Sequence, residues 1–110
     1  MEKDMNELAA IIRDSFISEI KLAYDWTGSH IAALTLMKNE EKIYLRLSGV
    51  RSFYVFEEFE AKYISQCKVL DLENGIYVSL DPYDESLIVD ERDNYCITAH
   101  SAELQRQAQQ

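Results

Sequence analysis

From residue 20 onward apolar side chains recur at every second position, and this period of two constrains the fold more than any other feature of the chain. Ile20, Leu22, Tyr24 and Trp26 alternate with Lys21, Ala23 and Asp25. That is the pattern of a strand with one face on a core and the other in water. Thr27, Gly28 and Ser29 end it. Residues 31–37 form a nearly continuous apolar run, expected to be buried on both faces. Asn39, Glu40 and Glu41 make the next turn, and Ile43, Leu45 and Leu47 then alternate with Tyr44, Arg46 and Ser48.

The pattern loosens over residues 50–59, where Gly49 marks a bulge or break ahead of Phe53, Tyr54, Val55 and Phe56. It resumes on either side of Glu73, Asn74 and Gly75. Asn-Gly between two apolar alternations predicts a hairpin with a type I′ turn, because that turn needs positive φ at both central residues. Residues 87–89 and 95–99 are the last strand candidates. Residues 101–107 are expected to start a short C-terminal helix, and 105–110 to fray as a polar tail.

Only the beginning of the chain has a helical period. Met5, Leu8, Ile11, Ile12 and Phe16 share one face. Asp4 is the N-cap candidate, with Glu7 three residues later in a capping-box arrangement. Strands joined by short turns make antiparallel neighbours, since parallel ones need a long crossover. The expected fold is therefore α+β: an N-terminal helix packed through Leu8, Ile11, Ile12 and Phe16 on a meander of roughly six strands. All 110 residues form a single domain in this reading.

Charge narrows the partners. Twenty acids stand against 11 Lys and Arg, a net charge of −9. Binding to nucleic-acid phosphates or to an anionic membrane requires the opposite balance, so neither is expected. The complement of this chain is a basic protein. The acids crowd the second half, with eight between residues 71 and 93 against one base, Arg92. Asp71, Glu73, Asp81, Asp84, Glu85, Asp90, Glu91 and Asp93 are either a solvated edge that keeps the chain soluble or the recognition surface for that partner. Tyr44 and Tyr77 fall out of phase with the apolar positions of their strands. With Tyr83 they are expected to form the desolvated centre of a contact surface.

No catalytic, cofactor or metal site is read from the sequence. The acids at 81–85 and 90–94 do not follow the alternate spacing of a calcium loop. His30, Cys67, Cys96 and His100 lack the paired spacing of a zinc site, and no motif joins a Cys to a His as nucleophile and base. Glu57, Glu58 and Glu60 could serve as a carboxylate pair for sugar hydrolysis, but a solvated turn is preferred. Two cysteines are too few for a disulfide scaffold, so two thiols and a cytoplasmic location are expected. No apolar run approaches the ~20 residues of a membrane span.

The layout resembles small bacterial immunity proteins of contact-dependent growth inhibition and related polymorphic toxin systems. It has a leading helix that enters an alternating strand, then a short-turn meander containing Ile43, Tyr44, Leu45, Arg46, Leu47, Ser48, Gly49 and Val50. The resemblance rests on size, acidity and pattern, and carries no functional residue over. It implies a cognate inhibitor that binds a toxin domain, often a basic nuclease, by stoichiometric occlusion. The other reading is an assembly module that forms a homodimer through an uncovered sheet face.

Overall fold

Helix α1 (Met5–Ile12) buries Leu8, Ala9 and Ile12, as its period requires. It stops four residues before Phe16 because Asp14 takes a left-handed φ of 67°. The backbone N of Asp14 there donates to the Ile64 carbonyl at 2.6 Å. Two side chains satisfy carbonyls that the last turn leaves open. Ser15 Oγ donates to Ile12 O at 2.6 Å, and Lys38 Nζ donates to Ala10 O and Ile11 O at 3.1 and 3.2 Å. A cation at this end also complements the helix dipole. Phe16 is therefore not a helical core residue, as its spacing predicted. It begins a strand, is exposed, and rests on Tyr63 with ring centroids 4.9 Å apart.

The computed structural model describes residues 5–24, 26–55, 63–84 and 86–108. Among these residues two antiparallel sheets face each other across the core. Strands β1 (Ser15–Tyr24), β2 (His30–Lys38) and β3 (Glu41–Ser48) form the expected meander. β5 (Tyr63–Ile64) flanks β1 on one side, and β9 (Ser101–Ala108) flanks β3 on the other, for a five-stranded sheet. The second sheet has four strands in the order β4 (Ser52–Tyr54), β8 (Asn94–Ala99), β7 (Gly75–Asp81) and β6 (Lys68–Leu72). Leu34, Leu36, Ile43, Leu45 and Leu47 of the first sheet meet Val69, Val78, Leu80 and Ile97 of the second, with α1 closing the core.

This corrects the single six-stranded meander. The cause is a corner at Gly49. β3 pairs with β9 as far as Ser48 opposite Ser101, and β4 pairs with β8 from Ser52 opposite Thr98. Between these ladders Gly49 has a φ of 65°. His100 N donates to Ser48 O and Gly49 O, and Arg51 N donates to Thr98 O. One two-stranded ribbon thus bends and supplies a strand pair to each sheet, as bulges at sheet corners do.

The expected C-terminal helix over 101–107 is β9 instead, and residues 105–108 of the supposed frayed tail are paired in it. Ala102 and Leu104 alternate with Ser101, Glu103 and Gln105, and Leu104 lies opposite Leu45. A helix there would have left the edge of β3 open. The strand expected at 87–89 is a loop.

Turn chemistry is displaced too. The hairpin at 73–75 exists, but Leu72 pairs with Gly75, so Glu73 and Asn74 form the tip. Of the three only Gly75 has positive φ, 148°. A Cβ there would run into the Ala99 carbonyl. The pair of left-handed residues that defines a type I′ turn sits between β2 and β3, at Asn39 (φ 52°) and Glu40 (φ 65°). Asn tolerates this region and Glu does so at a cost. Glu40→Gly is expected to raise unfolding stability by about 1 kcal/mol, read as a higher denaturant midpoint at unchanged slope.

Candidate functional site

Main-core residues Val69, Val78 and Ile97 point inward from the second sheet, so their neighbours Leu70, Tyr77 and Cys96 face outward. They are buried nonetheless, as a separate small cluster. The segment from Pro82 to Asp93 leaves β7, crosses this outer face and returns as β8.

One carboxylate holds it there. Asp93 has a side-chain exposure of 0%, and Lys68, its partner on β6, 1%. Lys68 Nζ donates to Asp93 Oδ1 at 3.1 Å and Oδ2 at 2.9 Å, and to the Ile88 carbonyl at 2.8 Å. The same carboxylate accepts from Tyr77 OH at 2.7 Å, from the backbone N of Tyr83 at 2.9 Å and from that of Asp90 at 3.2 Å. One buried acid therefore joins two strands to both limbs of the loop. Burial pushes its pKa up, but the hydrogen bonds from Tyr77, Lys68, Tyr83 and Asp90 outweigh that and hold it below the ordinary carboxylate value. The Tyr77 hydroxyl is raised far above the usual phenol range, first by burial and then by Cys96 and Asp93. Because the single hydroxyl hydrogen of Tyr77 is directed at Asp93, its oxygen is left to accept from the Cys96 thiol, 3.1 Å away. Burial raises that thiol's pKa, so it stays protonated.

Secondary ties shape the rest of the loop. Asp84 Oδ1 accepts from Ser86 N at 3.0 Å and Ser86 Oγ at 2.6 Å. Asp90 accepts from the backbone N, Nε and Nη2 of Arg92, and these bonds lower its pKa to about 2. The Arg92 guanidinium also lies 3.6 Å from the centroid of the Tyr83 ring. Between the two tied turns the loop turns its apolar residues to solvent. Leu87, Ile88 and Val89 are 74%, 64% and 53% exposed.

The acidic segment is thus not one surface. Asp71 and Glu73 are exposed at the β6–β7 hairpin. They line a cleft of about 850 Å³ with Met5, His100 and Glu103. Asp81 is half-buried and accepts from Asn94 Nδ2 at 3.1 Å. Asp84 and Asp90 shape the loop, and Glu91 is exposed on it. Asp93, expected on a contact surface, is buried because it neutralises Lys68. Tyr77, expected on an open sheet face, is buried because the loop covers that face. Tyr44 does lie on the outer face of the first sheet, half-buried opposite Thr35 and Gln105. Tyr83 is exposed under Arg92. Glu85, along with Asp4, Glu57, Glu58 and Glu60, lies outside the described residues.

Sequence reasoning missed Lys68 and the surface made by Leu87, Ile88 and Val89. A lone lysine opening the apolar run Lys68, Val69, Leu70 in the acidic half was the available signal. Among the described residues no three His, Cys, Asp or Glu side chains cluster to hold a metal ion, and no helix is long and apolar enough to cross a membrane. Cys67 and Cys96 are buried thiols rather than a disulfide. Both should react promptly with a thiol reagent in denaturant, and slowly in the native protein; a prompt native reaction at Cys96 would contradict its burial under the loop. No protein-family model, curated protein or solved structure matches the chain.

Proposed function

We propose that this chain is a non-catalytic protein-binding module. It would neutralise a basic partner by stoichiometric occlusion, as an immunity-type inhibitor does. The observation that carries this reading is the loop at 82–93. Three consecutive large aliphatic side chains stand in water on a segment fixed by a buried, fully hydrogen-bonded ion pair. Scattered exposed apolar residues are ordinary, but a contiguous set on a rigid loop is the composition of an interface centre. A fixed loop also loses little entropy on binding. Glu91 and Asp84 stand beside it, and the net charge of −9 favours encounter with a cation-rich surface.

The test is co-expression with the product of the gene beside this chain's own. A one-to-one complex is expected, with an association rate that falls steeply as salt rises. A complex whose on-rate ignores salt would remove the charge-steering part of the proposal. Failure of any neighbouring gene product to bind would remove the immunity reading.

A further inference from the structure

The cleft of about 850 Å³ is bordered by β9, by the β6–β7 hairpin and by the first turn of α1. On β9 it touches five consecutive residues, 100–104. Successive side chains of a strand point to opposite faces. A space that meets all of them therefore lies along an edge of β9 rather than on either face. The other edge of these residues carries the ladder to β3, with Ser101 opposite Ser48 and Leu104 opposite Leu45. Among the described residues β9 is the outermost strand on its side of the sheet. The backbone N–H and C=O groups along such an edge match those of another extended backbone.

Half-buried Leu72, Ile76 and Leu104 line the cleft, and the exposed carboxylates of Asp71, Glu73 and Glu103 stand around them. No Lys or Arg borders it among the described residues. We propose that the cleft is a second binding site, which receives an extended, lysine- or arginine-bearing segment of another protein as a strand beside residues 101–104. About four residues of such a segment span this length. Its basic side chains lay their alkyl stems on the apolar lining and carry their charges to the carboxylates. A polyamine meets the same charges but has no amide or carbonyl to pair with the edge. A second copy of this chain brings a net charge of −9 against the same acids. The site shares no residue with the loop at 82–93, so the two can be occupied separately.

Fluorescence anisotropy of a dye-labelled peptide of alternating Lys and Val, titrated with the full chain, tests this. Saturable binding is expected, and its absence overturns the proposal. Glu73→Gln/Glu103→Gln should weaken binding roughly tenfold. Glu19→Gln/Glu40→Gln removes as much charge from exposed positions elsewhere and should leave the affinity unchanged. An equal loss in both variants would reduce the effect to net charge and overturn the site. Circular dichroism checks that each variant is folded. Two further peptides, N-methylated at every Lys or at every Val, need no variant. The one whose methyl groups face β9 has lost its donors and should bind roughly tenfold more weakly or worse. Equal affinity of both with the parent peptide overturns strand addition. Spermine that displaces the labelled peptide as well as the unlabelled peptide does would make the ligand a bare polycation and overturn the peptide. A chain that begins at Asp4 should bind as the full chain does. A gain of about tenfold there would make residues 1–3 the occupant and overturn the proposal.

Discussion

Asp93→Ala is expected to be the most destabilising single substitution in the second sheet, by about 3–5 kcal/mol. Among the described residues it leaves the buried Lys68 ammonium the Ile88 carbonyl as hydrogen-bond acceptor and, as counter-charge, the half-exposed Asp84 carboxylate 3.9 Å away, and it removes the acceptor of Tyr77 OH and of two loop amides. Because the loss is mostly a poorly compensated charge, Lys68→Met/Asp93→Leu should recover much of it. The double variant should still lose the loop's fixed shape, since neither new side chain can hold the Tyr83 and Asp90 amides. The pair also sets a pH dependence. The pKa of Asp93 is lower in the folded chain than in the unfolded one. Its stabilisation is therefore fully present above the unfolded carboxylate value of about 4 and is lost as pH falls through the folded value. Chemical denaturation of wild type and Asp93→Asn from pH 7 downward checks this. The gap between the two curves should narrow in the acid range, and a gap that widens there would contradict the depressed pKa.

The second large effect is on binding. Replacing Leu87, Ile88 and Val89 together by Ser should weaken the partner complex by about 3–4 kcal/mol, or roughly 10²- to 10³-fold. Burying one such side chain is worth about 1.5–3 kcal/mol, and the three are adjacent, so their sum is not expected in full. Folding stability should change by no more than about 0.5 kcal/mol, because these side chains are already in water. Calorimetric titration alongside denaturant unfolding separates the two effects. An unchanged affinity would move the contact to Tyr44 and the outer face of the first sheet, or to the cleft beside Asp71 and Glu73.

The local elements could be read from the sequence; their assembly and the buried network could not. The alternation of Ile20 and Leu22, of Ile43, Leu45 and Leu47, and of Val78 and Leu80 each falls on a real strand; in the last two it reports a face buried on a sheet, whereas in β1 Leu22 and Tyr24, expected on a buried face, are exposed. The corner at Gly49 could be noticed only as a break. Whether a break ends a strand or bends a ribbon into a second sheet depends on the partner strands on either side of His100, 51 positions further on. Residues 101–107 were misread for a related reason. Glu103, Gln105 and Arg106 favour a helix locally, while the open edge of β3 favours a strand, and the edge prevails. In the site, alternation correctly put Tyr77 on the face opposite Val78. It could not reveal that a distant loop covers that face. Asp93 looked like one acid among eight, and only its meeting with Lys68, 25 positions earlier, sets it apart.

Hydrogen exchange of the partner complex, compared with the chain alone, tests most directly that the loop at 82–93 is the contact surface. Amides around Leu87, Ile88 and Val89 should gain protection on binding. Those of the β6–β7 hairpin tip and the outer face of the first sheet should not. Protection at either of those places, with the loop exchanging as before, would contradict the assignment of the loop as the binding site.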